Sequence, residues 1–129
     1  MFSVSHIHHT AIICSNYPVS KHFYSELLGF QIIRETYRET RQSYKLDLAI
    51  NKTQQIELFS FPSPPARPSH PEAQGLRHLA FATQNLEACI KHLNQHGVIP
   101  EAIRVDELTG KRFTFFTDPD DLPLELYEV

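Results

Sequence analysis

Two histidines and two glutamates are the residues of this sequence best placed to do chemistry. His9 opens an apolar run, His9-Thr10-Ala11-Ile12-Ile13, and Glu57 lies inside another, Ile56-Glu57-Leu58-Phe59. His78 opens Leu79-Ala80-Phe81, and Glu125 lies inside Leu124-Glu125-Leu126-Tyr127. The two His-to-Glu separations differ by one residue, so the chain carries a His-then-Glu module twice. Alternation along strands puts His9 with Ala11 and Ile13, Glu57 with Phe59 and Phe61, and His78 with Ala80 and Ala82. The opposite faces are rich in Leu, Ile and Phe and need covering, which leaves the imidazoles and carboxylates to line a concave surface. A carboxylate there loses solvation, and direct coordination of a divalent cation restores what is lost. Two nitrogen and two oxygen donors suit a six-coordinate ion with two open positions; Ni²⁺, Co²⁺, Mn²⁺ and Zn²⁺ all fit on ligand type. Taken singly, a strand Glu is ordinarily a solvent-facing residue and a strand His a hydrogen-bonded structural one. Their recurrence at equivalent places makes a metal centre of His9, Glu57, His78 and Glu125 the leading reading. His6 and His8 read as structural or surface residues.

The elements that must position these four follow from local patterns. A strand is expected over 6–14, after which Asn16 caps a helix with Pro18 in its first turn. Val19, Phe23, Leu27 and Leu28 recur at helical spacing, and Gly29 ends the helix. Strand-like runs follow over 30–37, 43–50 and 54–61. Residues 62–75 hold Pro62, Pro64, Pro65, Pro68, Pro71 and Gly75, which excludes a central strand or helix interior and marks a surface linker. The plan then repeats: a strand over 76–83, Asn85 as cap, a helix burying Leu86, Cys89, Ile90 and Leu93, a stop at Gly97, and strands over 98–105, 112–117 and 123–128. Asn16 and Asn85 keep the offset of the two histidines, and Gly29 and Gly97 fall one residue short of it. A single one-residue deletion explains the whole register. The fold class is therefore α+β, two tandem βαβββ modules (6–61 and 76–129) in one domain of 129 residues.

Length and charge narrow the function classes. A lone module of about 60 residues is marginal, so the halves are expected to fold together. A net charge of −3, with no basic run interleaved with aromatics, argues against nucleic acid. No run approaches the ~18 apolar residues of a membrane span, and no signal-like segment opens the chain. The expectation is a soluble, cytoplasmic protein with no membrane partner. Cys14 and Cys89 fit reduced thiols better than a disulfide framework.

These residues resemble the vicinal oxygen chelate superfamily, which contains glyoxalase I, methylmalonyl-CoA epimerase, extradiol dioxygenases and fosfomycin-resistance transferases. The resemblance spans the chain. It rests on His9-Thr10 with its apolar strand, Phe23-Tyr24, Leu28-Gly29-Phe30, Ile56-Glu57-Leu58, Arg77-His78-Leu79-Ala80-Phe81, and Asp118-Pro119-Asp120 leading into Leu124-Glu125-Leu126. The run 109–116 and the Pro-rich linker look most like its small, YaeR-like, glyoxalase-like branch. The resemblance implies metal ligands at His9, Glu57, His78 and Glu125, and paired modules whose curled sheets enclose the metal. Four such ligands look more like glyoxalase I than like the members with two His and one Glu, and the short chain looks like those active with nickel or cobalt. Glyoxalase I also carries an Arg four residues after the first His and an Asn four residues after the first Glu. Ile13 and Phe61 stand there instead, and a lost charge-assisted contact costs roughly 1.5–3 kcal/mol. Glutathione itself is therefore not expected.

The expected activity is metal-assisted proton transfer next to a carbonyl, on a 2-oxoaldehyde–thiol adduct or a related small substrate. Glu125 first and Glu57 second are the candidate bases. Ile13, Phe59 and Phe61 would form the apolar substrate wall, and Arg77, Arg104, Lys111 and Arg112 are the cations that could meet an anionic group. The alternatives are an acyl-CoA 2-epimerase and a non-catalytic module that binds a small ligand. The stiff linker opposes direct folding back of one module on the other. A homodimer is thus expected, in which His9 and Glu57 of one chain meet His78 and Glu125 of the other.

Overall fold

The alternating apolar runs of the sequence become eight strands, and the two capped segments become the helices between them. The computed structural model describes residues 1–129 and falls into two compact units, Met1–Ala66 and Arg67–Val129. The boundary lies within the Pro-rich stretch, where neither strand nor helix forms.

The first unit contains β1 (His9–Cys14), α1 (Tyr17–His22) continued by one π-helical turn (Phe23–Leu27), β2 (Gln31–Arg38), β3 (Ser43–Ala49) and β4 (Gln55–Ser60). Its sheet runs β1-β4-β3-β2, with β1 parallel to β4 and the other pairs antiparallel. The second unit contains β5 (Leu79–Thr83), α2 (Leu86–Gln95), β6 (Arg104–Val105), β7 (Arg112–Thr117) and β8 (Pro123–Glu128). Its sheet has the corresponding order, β5-β8-β7-β6, again with the outer pair β5 and β8 parallel. The tandem βαβββ architecture read from the sequence is therefore the one observed.

Each helix starts and stops as its sequence dictates. The Asn16 side chain accepts from the Val19 N–H at 3.2 Å, and that of Asn85 from the Ala88 N–H at 3.0 Å. These bonds satisfy amide donors that a helix start leaves without intrahelical partners. Gly29 and Gly97 end the two helical segments at φ of +77° and +79°, a conformation that costs glycine little.

The cores explain why the other faces remain for chemistry. In the first unit Ile12, Leu46, Leu48, Ile56 and Leu58 project from the strands to the buried side, joined there by Phe23, Tyr24 and Leu27 of the helical segment. In the second, Leu124, Leu126 and Phe116 are buried with Leu86 and Leu93 of α2. Burying side chains of this size gives roughly 1.5–3 kcal/mol each, so strand register is fixed and the His/Glu faces with it.

Two details differ from expectation. Val19 is about half exposed (49 %) while Ser20 and Tyr24 are fully buried; the buried stripe runs through Ser20, Phe23, Tyr24 and Leu27, the i, i+3, i+4, i+7 spacing of a helix face that leaves Val19 at its edge. The strand expected over 98–105 is reduced to Arg104–Val105. Pro100 has no N–H to give a ladder, and the segment is held to β7 by two bonds, Glu101 N–H to Phe115 O and Thr114 Oγ1 to Glu101 O.

Candidate functional site

In the first unit the parallel register sets Ala11 beside Glu57. His9, two residues earlier, is on the same face and diagonal to that glutamate, with its Nδ1 3.4 Å from Glu57 Oε2. The antiparallel neighbour β3 sets Asp47 opposite Glu57 and Lys45 opposite Phe59. Lys45 Nζ lies 2.7 Å from Asp47 Oδ1 and 3.7 Å from Glu57 Oε1. This pair thus sits in a small ionic network, with the His9 side chain 41 % exposed and that of Glu57 13 %.

The second unit repeats the pair in different surroundings. Ala80 lies beside Glu125, and His78 Nε2 is 2.9 Å from Glu125 Oε2. Opposite Glu125 and Tyr127 are Phe115 and Phe113, where the first unit has Asp47 and Lys45. The His78 ring meets Phe115 edge-on at a centroid distance of 4.9 Å. Its Nδ1 is buried without a hydrogen-bond partner, and Glu125 as a whole is only 8 % exposed.

A divalent ion with bonds of about 2.0–2.2 Å to nitrogen and oxygen holds neighbouring ligands roughly 3 Å apart. The 2.9 Å pair meets that spacing and the 3.4 Å pair is slightly wider. Their chemistry, one imidazole nitrogen and one carboxylate oxygen in each pair, also fits such an ion. Neither unit gathers three or more His, Cys, Asp or Glu side chains into a group able to hold a metal by itself, so one pair offers two protein donors.

The remaining sequence candidates divide. Ile13 is 55 % exposed and lies, with Phe59, on the Glu57 face. Phe59 and Phe61 stack at 6.1 Å. Arg77, His78, Arg104 and Phe115 line a cavity of about 710 Å³ in the second unit, together with Arg67 and Leu76. Arg77 is ion-paired there with Glu72 at 3.6 Å. Lys111 is exposed, one residue before β7. Arg112 is not on the site face: it alternates with Phe113 and Phe115, and it clamps Glu87 of α2 and Glu128 of β8. Its expected role as a substrate contact gives way to a structural one. The clamp holds both carboxyl groups below their ordinary range through hydrogen bonds from the guanidinium, and raises the pKa of Arg112.

Three site-face residues escaped the sequence reading: Lys45, Asp47 and Arg38. The alternation Lys45-Leu46-Asp47-Leu48 shows that Lys45 and Asp47 share a face, but only the register of β3 on β4 shows that this is the face of Glu57. Arg38 lies at the end of β2, and its guanidinium carbon is 4.9 Å from the Phe59 ring centroid and 5.6 Å from that of Phe61. The Asp118-Pro119-Asp120 motif turns out to be architectural. Buried Asp118 accepts from the N–H groups of Asp120 and Leu122, shaping the turn that leads into the Glu125 strand.

Comparison with known proteins places this geometry. The model of the Glyoxalase/Bleomycin resistance protein/Dioxygenase superfamily matches residues 6–126. The chain is 63 % identical over 122 residues to the uncharacterized protein YwkD of Bacillus subtilis (strain 168), covering 95 % of each. It is 59 % identical over 128 residues to the uncharacterized protein YaeR of Escherichia coli (strain K12), covering 99 % of each. A glyoxalase family protein from Enterococcus faecalis has a crystal structure that superposes with a TM-score of 0.89 at 52 % identity, over 95 % of this chain and 97 % of that one. None of these names assigns a substrate. No helix of the chain is long and apolar enough to cross a membrane.

Proposed function

Because the chain belongs to the glyoxalase/bleomycin resistance protein/dioxygenase superfamily, we propose that it is a metal-dependent, glyoxalase I-like lyase or isomerase. Its reaction would be proton transfer between neighbouring carbons of a small 2-oxoaldehyde–thiol adduct or related carbonyl compound. The observation that carries this reading is the repeated His–Glu pair. Each unit presents one imidazole nitrogen and one carboxylate oxygen at 3.4 or 2.9 Å, at equivalent places in its sheet.

The donor set His9, Glu57, His78 and Glu125 would hold one divalent ion, with nickel or cobalt favoured. Such an ion, when bound, supplies Lewis-acid stabilisation of the enediolate charge on the substrate's vicinal oxygens. Glu125 is the first candidate for the base that takes the proton from one carbon and returns it to the next. It is the more buried carboxylate, its Oε2 faces His78, and aromatic rings rather than charged groups stand opposite it. Such surroundings keep water away from the oxygen that would take the proton. Glu57 already shares its carboxylate with a cation, Lys45 Nζ at 3.7 Å, and is the better candidate for a ligand alone. Ile13 and Phe59 offer apolar surface on the Glu57 face that would help exclude water.

Each pair offers two donors, so a four-donor centre needs both. We read the protein as a homodimer in which the pairs come from two copies, His9 and Glu57 from one and His78 and Glu125 from the other. Mixing His9→Ala and Glu125→Ala chains through unfolding and refolding would then return part of the metal binding, because one site per heterodimer is intact. No recovery at any mixing ratio would exclude the exchanged arrangement.

The activity is tested in deuterated water with the metal-loaded protein. Methylglyoxal adducts of several thiols and 2-substituted acyl-CoAs are followed for deuterium incorporation and product. Turnover of an adduct that falls by about 10²–10⁴ in Glu125→Gln is the expected outcome. Turnover confined to acyl-CoAs would make the protein an epimerase, and exchange with none would leave a binding module.

A further inference from the structure

Two arginines in this molecule lie over pairs of phenylalanines, and their charges are handled differently. Arg104, in the second unit, has its guanidinium carbon 4.9 Å from the Phe113 centroid and 5.4 Å from that of Phe115. Its Nε and Nη2 both approach Glu101 Oε1, at 2.8 and 2.7 Å, so a carboxylate neutralises it. Arg38, in the first unit, lies over Phe59 and Phe61 at nearly the same distances and forms no ion pair. Its one hydrogen bond runs from Nη2 to Ser43 Oγ at 2.8 Å, and its Nε is buried without a partner.

A half-buried guanidinium with a single neutral partner is under-satisfied, since it carries five N–H donors. Water solvates such a group fully only at an open surface, and here two rings and a fully buried serine replace part of that solvent. The rings hold the guanidinium by cation–π contact, and Ser43 fixes one corner of it. Because Nε is closed off, the fork that remains for a ligand is the Nη1/Nη2 end. That arrangement suits an oxyanion, which accepts from both nitrogens at once.

We propose that Arg38, on its Phe59/Phe61 platform, is a binding subsite for a carboxylate or phosphate group at the far end of the substrate. As a statement about substrate it rests on the function proposed above; as an anion site it does not. Phe59 lies two residues beyond Glu57 on β4 and on the same face, about 7 Å along the strand. A substrate reacting beside Glu57 would run past the edge of Phe59 and bring an anionic end to Arg38. The substrate class is then a small carbonyl compound with one acidic tail.

The site is tested on the metal-free chain carrying ¹⁵N-labelled arginine, titrated separately with acetate, inorganic phosphate and chloride at matched ionic strength. The Nε–H signal of Arg38 should shift saturably with acetate or phosphate and not with chloride. The Arg104 signal should stay nearly still. Whichever oxyanion saturates at lower concentration identifies the tail. Equal, unsaturable drift of both arginines, or the same response to chloride, overturns the proposal. A second measurement uses thermal unfolding: the rise in Tm caused by the oxyanion should vanish in Arg38→Gln and persist in Arg104→Gln. If Arg38→Gln does not fold, the labelled wild-type chain decides alone. Neither measurement involves metal or turnover, so failure here and failure of the lyase reading are separately visible. With both upheld, the KM for the methylglyoxal–mercaptoacetate adduct should rise at least about tenfold in Arg38→Gln, while that for the neutral mercaptoethanol adduct stays unchanged. Equal rises for the two adducts would remove Arg38 as the tail contact.

Discussion

Glu57 and Glu125 hold equivalent positions in two sheets of the same topology, each beside an alanine of the parallel neighbour and diagonal to a histidine. Across the antiparallel neighbour the sheets part ways: Glu57 faces Asp47 and adjoins Lys45, whereas Glu125 faces Phe115 and adjoins Phe113. The two units share the donors and differ in what surrounds them. In the first unit an ammonium shares the carboxylate, whereas in the second aromatic rings keep water away from it. The two settings agree with the roles proposed above, ligand for Glu57 and base for Glu125. The arginine platforms differ in the reverse sense, with the charge balanced in the second unit and left open in the first.

Exchanging the two glutamates for glutamine breaks this comparison most sharply. Glu125→Gln should lower proton exchange by about 10²–10⁴ while the protein stays folded. Glu57→Gln should act mainly through weaker metal binding, with turnover restored by excess metal. Steady-state rates across a metal titration check both, and a Glu57→Gln defect that no metal concentration relieves would reverse the assignment of roles. Next in size is Phe115→Asp, which gives the second unit the residue type of the first. The change removes the ring that meets His78 edge-on and puts a charged, hydrated group opposite Glu125, so turnover of the metal-loaded protein should fall several-fold. A rate unchanged from wild type would show that the aromatic setting is irrelevant. Lys45→Met is a milder change: with the competing ammonium gone, metal affinity should rise several-fold, on the order of 1 kcal/mol for a partly exposed pair. Calorimetric metal titration would detect it, and weaker binding would mean that Lys45 organises Glu57 instead of competing for it.

The smallest effect concerns stability. Glu87 and Glu128 are held below their ordinary pKa by Arg112, as Glu35 in the first unit is by Lys21 and Tyr17. A depressed carboxyl stabilises the fold fully above its unfolded pKa and loses that contribution as pH falls through the folded value. The stability gap between wild type and Arg112→Gln should therefore be complete at neutral pH and close in acid. Denaturant unfolding at several pH values measures it. A gap that widened in acid would contradict the clamp.

Local chemistry made most of the fold legible. Asn16, Asn85, Gly29 and Gly97 mark helix ends through backbone rules that need no tertiary context, and the alternation around His9, Glu57 and Glu125 fixes which face each one takes. What stayed hidden depends on which strand lies beside which. Lys45 and Asp47 reach Glu57 only through the β3–β4 register, and Arg38 reaches Phe59 from the end of β2. Arg112 was misplaced because a cation near the second His–Glu pair in sequence says nothing about the face it takes. The strand expected over 98–105 failed at Pro100, whose missing N–H outweighed the β-branched residues around it.

Metal stoichiometry decides whether the two His–Glu pairs together bind one divalent ion, as proposed. Untagged protein is stripped and reloaded separately with nickel, cobalt, manganese and zinc, and bound metal is counted for wild type, His9→Ala and His78→Ala. Joint coordination predicts one metal per chain in the wild type with at least one of these ions, and an affinity loss of about 100-fold or more in each variant. That loss exceeds what removal of an outer partner typically costs. Wild-type stoichiometry and affinity retained in both variants would contradict it.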